Sequence, residues 1–307
     1  MAPSPDSPRP RRSRTSLLPI LIPLAILIVV AVSVGSWLQY RELQAIDTVH
    51  TVGSGAADRV DVEATVQRVD AAARELLLRV RVTPLGNLGE EDGTAPVADL
   101  SLQTSTATLG DLAFKAHERL PTKDVTVAIT GGSISDYPFD AYETEIGFWA
   151  VLGGEEVPVR MRLSSNDTLF SISPAPTAPT APTASAASAD EAVLGLDVTR
   201  SGSLLVFAVF MMAVMWALAA SVLVGAWYLT TRKKGLLWPA LAWMAATLFA
   251  LSAFRNTAPG TPPIGCVLDW FAFLWAETVI ALCLIAVVIT GVRTALDADA
   301  AQPSQPA

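Results

Sequence analysis

The chain has 307 residues, 51% of them hydrophobic and 16% charged, with a formal net charge of −8 and a mean hydropathy of +0.44. It is too apolar for an ordinary soluble protein, which points to membrane spans.

The first 16 residues form a basic tail, "RPRRSR". Residues 17–38 follow as an unbroken apolar run, long enough for the ~20 residues a bilayer core needs. The run reads as an anchor helix. Its core exceeds the usual length of a signal peptide, and no small-x-small cleavage site follows it. Pro19 and Pro23 fall near its start, where missing donors do least harm.

Residues 40–203 read as β structure. "DRVDVEATV" and "ELLLRVRV" alternate apolar and polar residues on either side of "DAAAR", the pattern of a hairpin. Further strands are expected at 98–103, 111–116, 124–130, 141–152, 156–163, 167–173 and 192–200. Period-two alternation broken by Gly, Pro and Asp predicts an antiparallel β-sandwich. This stretch holds 12 Lys/Arg against 24 Asp/Glu, a balance of −12. An acidic exterior argues against nucleic acid and against adsorption to anionic headgroups. "GEEDG" (89–93) lacks the ligand spacing of a calcium loop and reads as a solvated hairpin tip. Residues 174–190, "PAPTAPTAPTASAASAD", are low-complexity Ala/Pro/Thr and are expected to form a disordered loop.

Three more apolar runs follow at 204–229, 236–254 and 270–292, giving four expected transmembrane helices. Lys/Arg placement orients them. The N-terminal tail and the "TRKK" link (231–234) are basic, and the C-terminal tail, 293–307, starts with Arg293. Both termini are therefore expected in the cytoplasm, with the 40–203 domain and the 255–269 loop outside a plasma membrane.

Neither cysteine lies in the exported domain, so that domain must be held by its core. The two histidines and the lack of any CxxC give no metal-ligand spacing, and no nucleophile-elbow pattern is present. No metal, cofactor or catalytic constellation is expected.

Tyr137, Pro138, Phe139 and Asp140, preceded by Asp136, form a compact turn: Pro sets φ, Phe offers a large apolar plug, and Asp accepts hydrogen bonds. The 255–269 loop is longer than a minimal connection and carries three prolines, which should order it. Pro259, Pro262, Pro263 and Ile264 are expected to form an apolar platform under the sandwich, with Arg255 and Asp269 at its charged ends. Asp136 or Asp140 is expected within pairing reach of Arg255. Glu277 lies about 12 Å along the last helix from Asp269 and needs a partner or a proton at that depth. Arg255 is its nearest candidate in sequence, and Arg200 and Arg41 are expected at the same membrane face. Met211, Met212, Met215 and Trp216 have the spacing of a helix-packing face.

"DYPFDAY" (136–142), "MMAVMWALA" in the second apolar run, and "FRN–APG–PPIG" followed by "FLWAE" resemble the bacterial membrane-protein family named for domain of unknown function 4436 (DUF4436). The resemblance covers about residues 17–293. It implies an anchor helix, a β-rich exported domain and three C-terminal spans, and no assigned activity. "YPFDAY" is also similar to the aromatic-Pro-Phe-Asp turn of pentameric ligand-gated channels, which lies at the base of a β-sandwich against membrane loops. The flanking cysteines of that turn are missing, an anchor precedes the domain, and three spans follow it, so the likeness is one of local geometry.

The expected protein is a non-enzymatic cell-envelope membrane protein, serving binding, scaffolding or signal coupling. Its partners are the lipid bilayer and either envelope proteins or copies of itself. A channel or transporter component using Glu277 is the alternative, and an exported enzyme the third reading.

Overall fold

The computed structural model describes residues 33–37, 40–41, 49–90, 93–104, 111–175, 191–232 and 237–300. The N-terminal tail, most of the 17–38 run, residues 176–190, residues 233–236 and residues 301–307 lie outside the described residues.

Eleven strands build two facing sheets. β1 (His50–Gly53), β9 (Val159–Ser165), β2 (Arg59–Asp70), β3 (Glu75–Leu85) and β6 (Lys123–Ala128) lie in that order in one sheet. The other holds β10 (Phe170–Pro174), β11 (Ala192–Arg200), β7 (Ala141–Leu152), β4 (Leu100–Thr104) and β5 (Leu112–Phe114), with β8 (Glu155–Val157) beside β7. The expected β2–β3 hairpin forms, with a register shift between Val66 and Arg68. The sandwich is not purely antiparallel, since β9 runs parallel to β2. β9 follows β8, which pairs with β7, so the chain crosses between the sheets to reach β2, and a crossover can deliver a parallel strand where a tight hairpin cannot. Gly89 and Pro96 form a small bridge inside a second crossover, between β3 and β4.

The alternating apolar residues meet between the sheets. Val60, Val62, Ala64, Leu76, Leu78 and Val80 of one face Ile146, Phe148, Leu196 and Val198 of the other in one buried cluster. Asp167 is one of the buried polar residues of the sandwich. It is 8% exposed, and its carboxylate accepts from the backbone N–H groups of Val69, Leu169 and Phe170. It thereby ties the end of β2 to the start of β10.

Three helices follow: α1 (Gly202–Thr231), α2 (Trp238–Arg255) and α3 (Leu274–Ala300), the last entered through a wide π turn at Asp269–Phe273. α1 buries Leu204, Ala208, Met211, Met215, Ala219, Val222 and Ala226 at three- and four-residue steps. The π turn answers with Ala272 and α3 with Ala276, Ile280, Cys283 and Val287. The small residues let the two backbones approach closely. Met211 and Met215 thus pack between helices, while Trp216 stands outside that face and donates its indole N–H to the Phe271 carbonyl beside the π turn.

Among the described residues two helices, Gly202–Thr231 and Asp269–Asp297, are long and apolar enough to cross a membrane. Four such helices were expected. α2 has 18 residues, about 27 Å of helix against a hydrocarbon core of about 30 Å. Its Trp238, Pro239, Trp243 and Arg255 also lower its apolarity. The remaining expected span is the first apolar run, mostly outside the described residues. The helices turn large apolar side chains outward, including Trp227, Phe249, Phe271 and Leu282.

Asp167→Ala would strand three backbone donors at the β2–β10 junction. The expected loss of stability is about 3 kcal/mol, read as a lowered midpoint of chemical denaturation. A midpoint unchanged within error contradicts this role.

Candidate functional site

The sandwich and the helices meet where β11 becomes α1. A single residue, Ser201, separates the two elements, and its Oγ accepts from Leu204 N at 3.4 Å as the helix cap. Such a junction has little freedom to bend. The last residue of β11 is Arg200. In the β11–β7 ladder Thr199 pairs with Ala141, which brings the turn preceding β7 alongside Arg200.

That turn contributes Asp140. Arg200 Nε lies 2.9 Å from Asp140 Oδ1, and Nη2 lies 2.9 Å from Oδ2. The side chains are 3% and 0% exposed, so the pair is desolvated. Tyr142 donates its hydroxyl to Asp140 Oδ2 at 3.0 Å. The guanidinium is flanked by two rings, with Cζ 4.1 Å from the Phe170 centroid and 5.2 Å from that of Tyr137. Carboxylate, phenol and aromatic faces together replace the water that the cation has lost.

Tyr137 is fully buried, and it packs in the helix-side cluster with Leu204, Ala258, Cys266 and Leu268 rather than in the sandwich core. Among the described residues its hydroxyl has no hydrogen-bond partner. Burial pushes its pKa up to about 12, so the ring stays neutral beside Arg200. The plug of the turn is therefore Tyr137. Phe139, expected in that role, is 57% exposed.

The loop after α2 is closed by a second buried pair. Arg255 Nε lies 2.7 Å from Asp269 Oδ1, and Nη2 lies 2.8 Å from Oδ2. Nη1 and Nη2 also donate to the carbonyls of Pro262 and Pro263, and Gly265 N donates to Asp269. The expected pairing of Arg255 with Asp136 or Asp140 does not occur. Asp136 is exposed, Asp140 is occupied by Arg200, and the guanidinium of Arg255 is spent inside its own loop. Only part of the loop forms an underside for the sandwich. Ala258 and Pro262 are buried, whereas Pro263 is exposed and Ile264 is 93% exposed. Gly260, at φ +76°, passes close to Arg200, and a Cβ there would lie 2.9 Å from Nη1.

Glu277 is not paired with Arg255 either. Its Oε1 accepts from Ser252 Oγ at 3.0 Å, across the seam between α2 and α3. Ser252 was not anticipated, because a lone serine in an apolar run carries no sequence signal. Arg200 was anticipated at this membrane face, and its carboxylate partner proves to be Asp140. Among the described residues no group of three or more His, Cys, Asp or Glu side chains has a metal-holding arrangement.

Against known families, residues 50–193 match the one described as "Domain of unknown function (DUF4436)". Residues 200–294 match a second, "Domain of unknown function (DUF8686)". No curated protein matches the chain. The first match ends near the start of β11, and the second begins at its last residue, Arg200.

Asp140→Ala leaves the Arg200 cation buried without a counter-charge. It is expected to cost about 3–5 kcal/mol, while the double change Asp140→Leu with Arg200→Met recovers most of that loss. Phe139→Ala, at an exposed site, should stay within about 0.5 kcal/mol of the native protein. Thermal unfolding in detergent checks all three. Equal losses for Asp140→Ala and Phe139→Ala contradict the assignment.

Proposed function

Residues 50–193 place this chain in the DUF4436 family, and from that premise we propose a multi-pass cell-envelope protein whose β-sandwich is docked on a helix bundle. Its work is binding, scaffolding or signal coupling, not catalysis. One observation carries the proposal: the buried Arg200–Asp140 pair sits one residue from α1, with Tyr137 of the same turn inserted among the helices. A displacement of the β7 turn would pull on Arg200, and Arg200 is continuous with α1. This is a mechanical path from the sandwich to a membrane-crossing helix, made of contacts that cannot slide without exposing a charge.

The bundle in this reading has four spans: the 17–38 run, α1, α2 and α3. Basic flanks support a cytoplasmic location for both termini and for the 231–234 link, which places the sandwich outside a plasma membrane. Its occupant is an envelope protein or a second copy of the chain. A second reading, a channel or transporter component, rests on Glu277, whose acceptor is held by Ser252 at a helix seam.

A reporter active only in the cytoplasm tests the threading. Fused after Lys234 or after the C-terminus it should be active, and inserted at residue 180 it should be silent. Activity at 180 overturns the proposed orientation.

A further inference from the structure

The face of α1 opposite α3 carries Val206, Phe210, Ala213, Ala217, Ala220 and Val224, spaced by alternating four- and three-residue steps. Val206 is half-buried and the other five are exposed. At its sandwich end this face meets a described piece of the N-terminal run: a methyl at Gly35 would lie 3.6 Å from Val206 Cγ1. Gly35 is also the half-buried residue of 33–37, with exposed residues on either side.

We propose that the remainder of the first apolar run, back to Leu17, lies antiparallel along this face of α1 and covers it. The inference rests on the reading of residues 17–38 as a retained span. Direction follows from connectivity. The chain leaves Gly35 toward β1 in the sandwich, whereas α1 leaves the sandwich at Gly202.

Length and shape agree. From Val206 to Val224 is about 27 Å of helix at ~1.5 Å per residue, and the same number of residues leads from Gly35 back to Leu17. Stepping back at the same helical spacing gives Ala31, Ile28, Leu24, Leu21 and Leu17 on the Gly35 side. Antiparallel alignment sets Ala31 opposite Phe210, Ile28 opposite Ala213, Leu24 opposite Ala217 and Leu21 opposite Ala220. Large residues thus meet small ones at four successive positions, the relation that lets apolar helices interlock in lipid. Pro19 and Pro23 fall on the far side, away from the contact. The occupant is therefore this chain's own first span and not a partner protein, and the two tethers of the sandwich leave the membrane side by side.

Cysteine pairs in the full-length membrane-embedded protein test this, with Cys266 and Cys283 replaced by Ser. Under mild oxidation Ile28→Cys with Ala213→Cys, and Leu24→Cys with Ala217→Cys, should each form a disulfide within one chain in most molecules. Two controls should form at least tenfold less: Ile26→Cys with Ala213→Cys, on the wrong face, and Ile28→Cys with Ala220→Cys, two turns out of register. Disulfides only between chains would make the face a homodimer seam and overturn the proposal. So would equal yields for matched and control pairs, or no disulfide in any. Mass measurement of the purified chain separates this from failure of the underlying reading: loss of the residues before about 40 would mean that the run is cleaved and that no first span exists.

Discussion

The architecture turns on one desolvated ion pair. Arg200 ends the last strand, and Asp140 precedes the central strand of the same sheet. Their side chains are 3% and 0% exposed. A lone buried guanidinium would cost several kcal/mol. Here the cost is offset by a bidentate carboxylate, by the Tyr142 hydroxyl that holds that carboxylate, and by the rings of Phe170 and Tyr137. The compensating groups come from two places in the chain: the 137–142 turn leading into β7, one of whose residues reaches the helices, and the start of β10. Satisfying the cation therefore fixes where all of them stand. An apolar pair of the same volume could match the stability. It would not select one orientation of sandwich on bundle, and selection is the more economical reason for a charge in this position.

The second buried pair plays a more local part. Arg255 and Asp269 close their own loop, and the proline carbonyls and Gly265 N–H complete the bonding. The result is a rigid lip that offers Ala258 and Cys266 to the cluster that holds Tyr137 and a glycine to Arg200. Arg200 stands over the Tyr137 ring, and Arg255 and Asp269 close the helix loop that packs in the same cluster. The Tyr137 hydroxyl has no hydrogen-bond partner among the described residues. A phenylalanine would fill the same space without that burden.

Much of the fold was legible because it rests on periodicity. The period-two runs around Val60–Val66 and Leu76–Val82 located two strands whose starts match within a residue, while the observed strands run on to Asp70 and Leu85. The apolar length of 204–229 likewise announced α1. The parallel β2–β9 pairing was not legible, because alternation says which face a residue takes and nothing about which strand lies beside it. The candidate site was half legible. The turn at 136–142 and the charged ends of the 255–269 loop were identifiable as residues out of keeping with their surroundings. Their partners were not. Arg255 pairs 14 residues away and Arg200 pairs 60 residues away, and nothing local distinguishes the two choices. Phe139 was misassigned because hydrophobicity ranks it above Tyr137, whereas the geometry of the turn points the tyrosine inward and the phenylalanine out.

The central claim is that the sandwich is held in one orientation on the helices by the Arg200–Asp140 pair. The most direct test is a distance distribution between spin labels at Glu156, on the exposed β8, and Thr257, in the loop after α2. The measurement is made in the membrane-embedded protein. The account requires a single narrow distribution in the otherwise native chain, and a broad one when Asp140→Ala is introduced. A broad distribution in the native chain would mean that the sandwich moves freely on its tethers. A distribution that stays narrow with Asp140→Ala would mean that the pair does not hold it.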